Sequence, residues 1–241
     1  MSLCAACGPT YQSVRAYIPH HEKPHQVQVD ANLPLRFKAD HYATQVDVSY
    51  SVDESLLVAV GGHSMKGYSC GTDCVRDEYH GVHFAAGTYH PFPDVTGITG
   101  RGHFLAGVGL QNWHIDKYGD AYEDMKDKVA DAGALVRFNT KVVNPFVQGG
   151  FTMTPHPAAV SVIARLDVPV FLFRERLPED INPNRTSGLL SSIFDARVSL
   201  TTNIAVYAQA ILRLNVPVDT AFQVSNFNSF IGLSYVFGGA D

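Results

Sequence analysis

Cysteine, histidine and carboxylate side chains crowd the stretch from His63 to His83 of this 241-residue chain. Cys70 and Cys74 enclose Gly71-Thr72-Asp73, and Asp77, His80 and His83 follow closely. Two chemistries are open to such a set. Thiolates and imidazoles together are the ligand types of zinc or copper. The two cysteines alone can close a small disulfide in an oxidising compartment, because the glycine between them lets the chain turn tightly. Spacing favours the disulfide. Residues i and i+3 of a strand point to opposite faces, so the imidazoles of His80 and His83 would diverge. No metal and no cofactor is expected. The same rule separates Ser64 from His63, so this neighbouring pair is no nucleophile and base. No catalytic residue is assigned, and the chain is expected not to be an enzyme.

The other two cysteines lie in Met1-Ser-Leu-Cys-Ala-Ala-Cys7-Gly. Small residues before a cysteine resemble the tail of a bacterial lipoprotein signal, which makes Cys7 the candidate lipid anchor. Residues 8–24 are proline-rich and aperiodic, and are read as a tether between that anchor and the rest of the chain. Two units follow from this: 1–24, a lipoprotein-like start and tether, and 25–241, the folded body.

The remaining charges with a pattern are Asp30, Asp47, Arg165, Asp167, Asp195, Arg197 and Arg213. Each falls on the polar face of a segment whose other face is apolar. In a closed barrel those faces would line the lumen, and opposite signs would pair across it. The alternative is a charged constriction that selects small solutes. The eleven histidines are scattered. Several fall near strand ends and are read as residues of a lipid–water boundary.

The elements that position these residues are strands. Val206, Ala208, Ala210, Leu212 and Leu214 alternate with Tyr207, Gln209, Arg213 and Asn215, with Ile211 the one apolar residue on the polar side. Ile231, Leu233, Tyr235 and Phe237 alternate with Gly232 and Ser234. Side chains alternate across a strand, so each segment has one greasy and one polar face. Further strands are predicted over His25–Leu33, His41–Val52, Ser55–Met65, Tyr79–Pro91, Gly102–Trp113, Ala134–Thr152, Ala158–Phe173 and Ile193–Thr201. A kink or bulge is expected at Gly61-Gly62 and a bulge at Pro145. Asp116–Gly133 breaks the period and is read as a short helix or a long loop.

Composition agrees with strands that cross a bilayer. Charged residues are 17% of the chain, against roughly 25% in soluble domains. A run of about ten alternating residues is the length a tilted strand needs to span lipid. No apolar run reaches the length of a transmembrane helix, and the net charge of −5 gives no reason to expect nucleic acid. The connections are sorted by parity. Those after the second, fourth, sixth and eighth strands are mostly short; those after the third, fifth, seventh and ninth are longer. Bacterial barrels alternate short periplasmic turns with long outer loops in this way, which would set both termini in the periplasm. The expected fold is therefore all-β, a closed antiparallel up-and-down transmembrane barrel of ten strands, with eight the alternative.

The chain also resembles a group of small Gram-negative outer-membrane β-barrel proteins with a lipoprotein-like start. The likeness is carried by Leu3-Cys-Ala-Ala-Cys-Gly-Pro-Thr-Tyr11, by His25–Leu33 and Gln45–Val60, and by Gly232-Leu-Ser-Tyr-Val-Phe237 near the end. The resemblance implies export and insertion into the bacterial outer membrane, with no assigned chemistry. The expected role is a structural or accessory subunit of a larger outer-membrane assembly, with outer-membrane lipid around it. A narrow pore for small solutes and a barrel hydrolase acting on lipid or peptide are the alternatives.

Overall fold

The computed structural model describes residues 10–11, 16–34, 42–70, 74–95, 98–118, 136–155, 157–173, 188–216, 223–224 and 227–239. Ten long strands account for most of them: β1 (Gln26–Pro34), β2 (Tyr42–Ser51), β3 (Leu56–Cys70), β4 (Cys74–Val95), β5 (Ile98–Tyr118), β6 (Val136–Thr154), β7 (Ala158–Asp167, resumed over Val170–Phe173), β8 (Gly188–Ser199), β9 (Ile204–Val216) and β10 (Phe227–Gly238). Each pairs antiparallel with the next, and β10 returns to β1 with Ile231 opposite Leu33 and Phe237 opposite Val27. The ring is closed, so none of the ten is an edge strand.

Alternation drives this closure. Along β2, Val46, Val48 and Tyr50 face out while Gln45, Asp47, Ser49 and Ser51 are buried. On β7 and β8 the same switch holds: Val160, Val162 and Leu166 are out with Ser161, Ile163 and Arg165 in, and Phe194 and Val198 are out with Ile193, Asp195 and Arg197 in. Ile211, the apolar exception on β9, is buried inside the ring.

At one end the connections are tight. Asp53 makes the turn into β3: its carboxylate accepts from the backbone amides of Ser55 and Leu56, both at 2.7 Å, and from the Ser55 hydroxyl at 3.0 Å. The Ser55 amide first, then that of Leu56, hold this carboxyl below its usual range, although it is fully exposed. The turns over 155–157 and 200–203 lie at the same end.

Several expectations need correction. The connection expected over 66–78 is mostly strand: β3 and β4 stay paired up to Cys70 opposite Cys74. Lys66 pairs across this hairpin with Glu78 at 3.1 Å, and Arg76, two residues along the same strand from Glu78, joins it. Pro91 and Pro93 do not stop β4, which runs to Val95 with a register shift between Phe92 and Val95. Gly61-Gly62 carries no bulge; the register runs through both residues unbroken. Pro145 stays in register with β5, and the irregularity falls on its other side. There Pro145 and Pro169 each remove an amide donor, and β7 breaks between Asp167 and Val170, with Val168 N donating to Pro145 O at 2.9 Å. Asp116–Tyr118 continue β5, and the rest of the expected helix or loop lies outside the described residues.

Candidate functional site

Polar side chains converge in the lumen. All seven charged residues of the inward faces are buried: Asp30, Asp47 and Asp167 at 0% exposure, Arg165 at 3%, Asp195 and Arg213 at 2%, Arg197 at 4%. A buried charge is tolerated only when paired and hydrogen-bonded. A short-range rule meets part of that need. Gln28 Nε2 donates to Asp30 at 2.8 Å, Gln45 Nε2 to Asp47 at 3.0 and 2.9 Å, and Arg165 Nε to Asp167 at 3.0 Å. In each case the donor precedes the carboxylate by two residues, the spacing of one strand face. Cross-strand contacts add to it. His83 Nε2 lies 3.0 Å from Asp47, Asn144 Nδ2 donates to Asp167 at 2.8 Å, and Arg197 lies 3.7 Å from Asp30. The Arg165 guanidinium also lies over the Phe146 ring, 3.9 Å from its centre.

Glycine makes room for the bulk. Six inward glycines each face a large inward side chain in the adjacent strand: Gly61 faces His83, Gly81 His63, Gly87 Leu105, Gly107 Phe146, Gly150 His103, and Gly232 Tyr207. At Gly61 the space a methyl would need is taken by His83 and Asp47 together. His21, His63, His83 and His103 are thus buried in the lumen, which corrects their assignment to a lipid–water boundary. His25 and His90 remain exposed near strand ends.

A chain segment fills what remains. Ala16, Tyr17 and Ile18 are at 0%, 3% and 0% exposure, and His21 at 1%. Ala16 and Ile18 pack among Met65, Tyr79, Trp113, Ile193 and Phe230; Tyr17 packs with Leu57, Leu105 and Phe146 on the other side. An extended segment inside a barrel brings backbone amides and carbonyls that need partners. Three buried glutamines supply them. Gln148 Nε2 donates to Tyr17 O at 2.6 Å, Gln28 Nε2 to Ile18 O at 3.0 Å, and Gln209 Nε2 to Ala16 O at 3.3 Å, while Gln28 Oε1 accepts from His20 N at 2.8 Å. Tyr17 also hydrogen-bonds Ser49 through its hydroxyl.

The segment traverses the barrel. Ser51 Oγ donates to Lys23 O at 2.9 Å, at the tight-turn end. Thr10–Tyr11 pair in parallel with Gln223–Val224, in the connection between β9 and β10 at the opposite end. The stretch expected to be a tether is therefore, over 16–21, an internal plug. Residues 22–25 and Gly239 share the tight-turn end, and Thr10–Tyr11 lie at the other; residues 1–9, on which the expected siting of the N-terminus turns, lie outside the described residues. Cys7 lies outside the described residues.

Two serine–histidine contacts were not read from the sequence. His21 Nε2 lies 2.9 Å from Ser49 Oγ, but His21 Nδ1 has no partner among the described residues and both residues are shut away from solvent. A nucleophile needs an oriented base and an approach for substrate, and this pair has neither. Ser64 Oγ lies 3.1 Å from His80 Nδ1 on the outer face, while His63 points inward, so the neighbours His63 and Ser64 do part as expected. Among the described residues no three histidine, cysteine or acidic side chains gather as metal ligands.

Cys70 and Cys74 are direct register partners across the β3–β4 hairpin. Peptide mapping of unreduced protein is expected to recover one species joined through these two cysteines. Quantitative alkylation of both in freshly extracted, unreduced protein would exclude the bond.

No protein-family model matches the chain, and no curated protein matches it. Solved structures do. The translocator domain of the autotransporter NalP from Neisseria meningitidis is 12% identical, with a TM-score of 0.45 over 88% of this chain and 87% of that one. The outer membrane protease OmpT of Escherichia coli is 9% identical, with a TM-score of 0.43 over 89% and 94%. An outer membrane channel from Pseudomonas putida F1 is 10% identical, with a TM-score of 0.38 over 92% and 100%.

Proposed function

We propose that the chain is a bacterial outer-membrane barrel sealed by its own N-terminal segment, serving as a structural or accessory subunit and not as an enzyme. The observation that carries this reading is the internal segment at Ala16–His21, hydrogen-bonded to three buried glutamines and packed between two apolar clusters. Membrane insertion draws support from the outer surface. Val60, Phe84, Phe104, Val162, Phe194 and Leu233 are all exposed there. Aromatic side chains gather toward the tight-turn end: the Phe92 and Phe151 rings are 5.2 Å apart, those of Tyr235 and Phe237 5.5 Å, with Tyr50 nearby on β2. Such a girdle suits a membrane interface. On β4 the outward residues Val82, Phe84 and Ala86 give way above to His80 and Glu78. Beyond them β3 and β4 continue as a paired hairpin to Cys70 and Cys74, where a larger outer-membrane complex would meet the barrel.

Conductance in a planar lipid bilayer tests the seal. The purified chain is expected to produce no channel steps. A variant lacking residues 1–22 is expected to produce them, as is the milder variant Tyr17→Gly/Ile18→Gly if the deletion fails to fold. Steps from the unaltered chain would favour the alternative of a narrow pore. Silence from every folded variant would show that the segment is not the seal.

A further inference from the structure

We infer an oxyanion-binding site at the tight-turn mouth of the lumen. A cavity of about 190 Å³ opens there, lined by His20, Glu22, Arg101, Thr152, Arg197 and Ser234 among others. Arg197 is its centre. The side chain is 4% exposed, NH1 donates to Ser234 Oγ at 2.6 Å, and the guanidinium lies 5.2 Å from the Tyr207 ring centre. These contacts fix its plane. Its Nε and NH2 atoms are buried and have no hydrogen-bond partner among the described residues. Those two nitrogens form one edge of the guanidinium fork, whose parallel N–H groups match two oxygens of a carboxylate or phosphate. A buried charged donor left without a partner is costly, and an oxyanion would remove that cost.

The neighbours suit the same class of ligand. His20 Nε2 is also buried without a partner, and its backbone amide is committed to Gln28. Arg101 adds a second positive charge, and Thr152 and Ser234 bring hydroxyls. The countercharges are Asp30, 3.7 Å from Arg197 NH1, and Glu22 on the exposed rim. Asp30 faces NH1, so it leaves the Nε–NH2 edge open. Glu22 is free to compete for that edge. The oxyanion has two sources, a free phosphate or carboxylate in solution and the phosphate of a lipid headgroup reaching past Ile204 and Phe237 at the outer rim.

The test is calorimetric titration of the full chain in neutral detergent with inorganic phosphate, at constant ionic strength. Binding is expected in the unaltered chain and is expected to weaken roughly tenfold in Arg197→Gln, the loss of a charge-assisted pair. Glu22→Gln is expected to tighten it, and Arg76→Gln, at the other end of the barrel, to leave it unchanged. Arg101→Gln, a half-buried position, serves if Arg197→Gln does not fold. No heat of binding, or an affinity that neither arginine variant alters, overturns the site. Repeating the titration in nanodiscs separates the sources. Phosphate binding weaker in phosphatidylglycerol or phosphatidylcholine nanodiscs than in detergent assigns the site to a headgroup phosphate; binding unchanged from detergent in both assigns it to a soluble anion.

Discussion

Arg165→Met is expected to destabilise the barrel by ~3–5 kcal/mol, because it leaves a buried carboxylate without its cation. Arg165 reaches Asp167 through Nε at 3.0 Å and through NH2 at 2.8 Å, and Asp167 has no solvent exposure. Once the arginine is gone, Asn144 remains as a neutral donor at 2.8 Å. One amide cannot replace a guanidinium. The double variant Arg165→Met/Asp167→Asn removes both charges at similar volume and is expected to recover much of the loss, since no uncompensated buried charge remains. The chain has a single tryptophan, Trp113, 1% exposed and stacked on Tyr79 inside the barrel. Its fluorescence during denaturant unfolding in detergent reads the midpoint. An Arg165→Met midpoint within about 1 kcal/mol of the unaltered chain would contradict the pairing.

The second large effect is expected at Gly61. A methyl there would stand 2.1 Å from Asp47 Oδ1 and 2.3 Å from His83 Cε1. Both atoms belong to the buried His83–Asp47 pair at 3.0 Å, which would have to open. Gly61→Ala is expected to cost ~3 kcal/mol, from overpacking together with the broken pair. Gly62 supplies the contrast. Its side-chain direction is outward, and the nearest atom to an added methyl is Gly81 O at 3.8 Å. Gly62→Ala is expected to lie within about 0.5 kcal/mol of the unaltered chain. The same unfolding measurement separates the two, and equal midpoints for both variants would refute the packing argument.

Much of the barrel was legible because a lipid-facing wall writes itself as alternation. β2, β7 and β9 show this best: outward valines and leucines alternate with inward residues that are mostly polar, Ile163 and Ile211 being apolar exceptions. The carboxylate supports were legible too, as Gln28-x-Asp30, Gln45-x-Asp47 and Arg165-x-Asp167, although their meaning required knowing which face was inside. The upper parts of β3 and β4 were hidden. Lys66, Arg76 and Glu78 hold that hairpin by charge, and charge leaves no apolar period. The glycine–imidazole pairs depend on register, which places Gly61 beside His83 though the two are distant in sequence. The internal segment was the hardest part. Ala16-Tyr-Ile18 is a brief apolar cluster in a proline-rich stretch, too short for any period, and its partners Gln148 and Gln209 come from the far half of the chain. The apolar character of Ala16-Tyr-Ile18 was the only local sign that this stretch would not remain in water.

That segment also has a mechanical meaning. Around the ring of ten strands, β6 stands five places from β1 in either direction, so the two are diametrically opposed. Gln28 on β1 grips Ile18, and Gln148 on β6 grips the adjoining residue Tyr17. Gln209 on β9 holds Ala16 from a third bearing. A hollow ring under lateral pressure flattens most easily along a diameter, and here a diameter is spanned by a hydrogen-bonded strut. The segment works as a spoke, coupling opposite walls so that the cross-section keeps its shape while the surrounding lipid pushes on it.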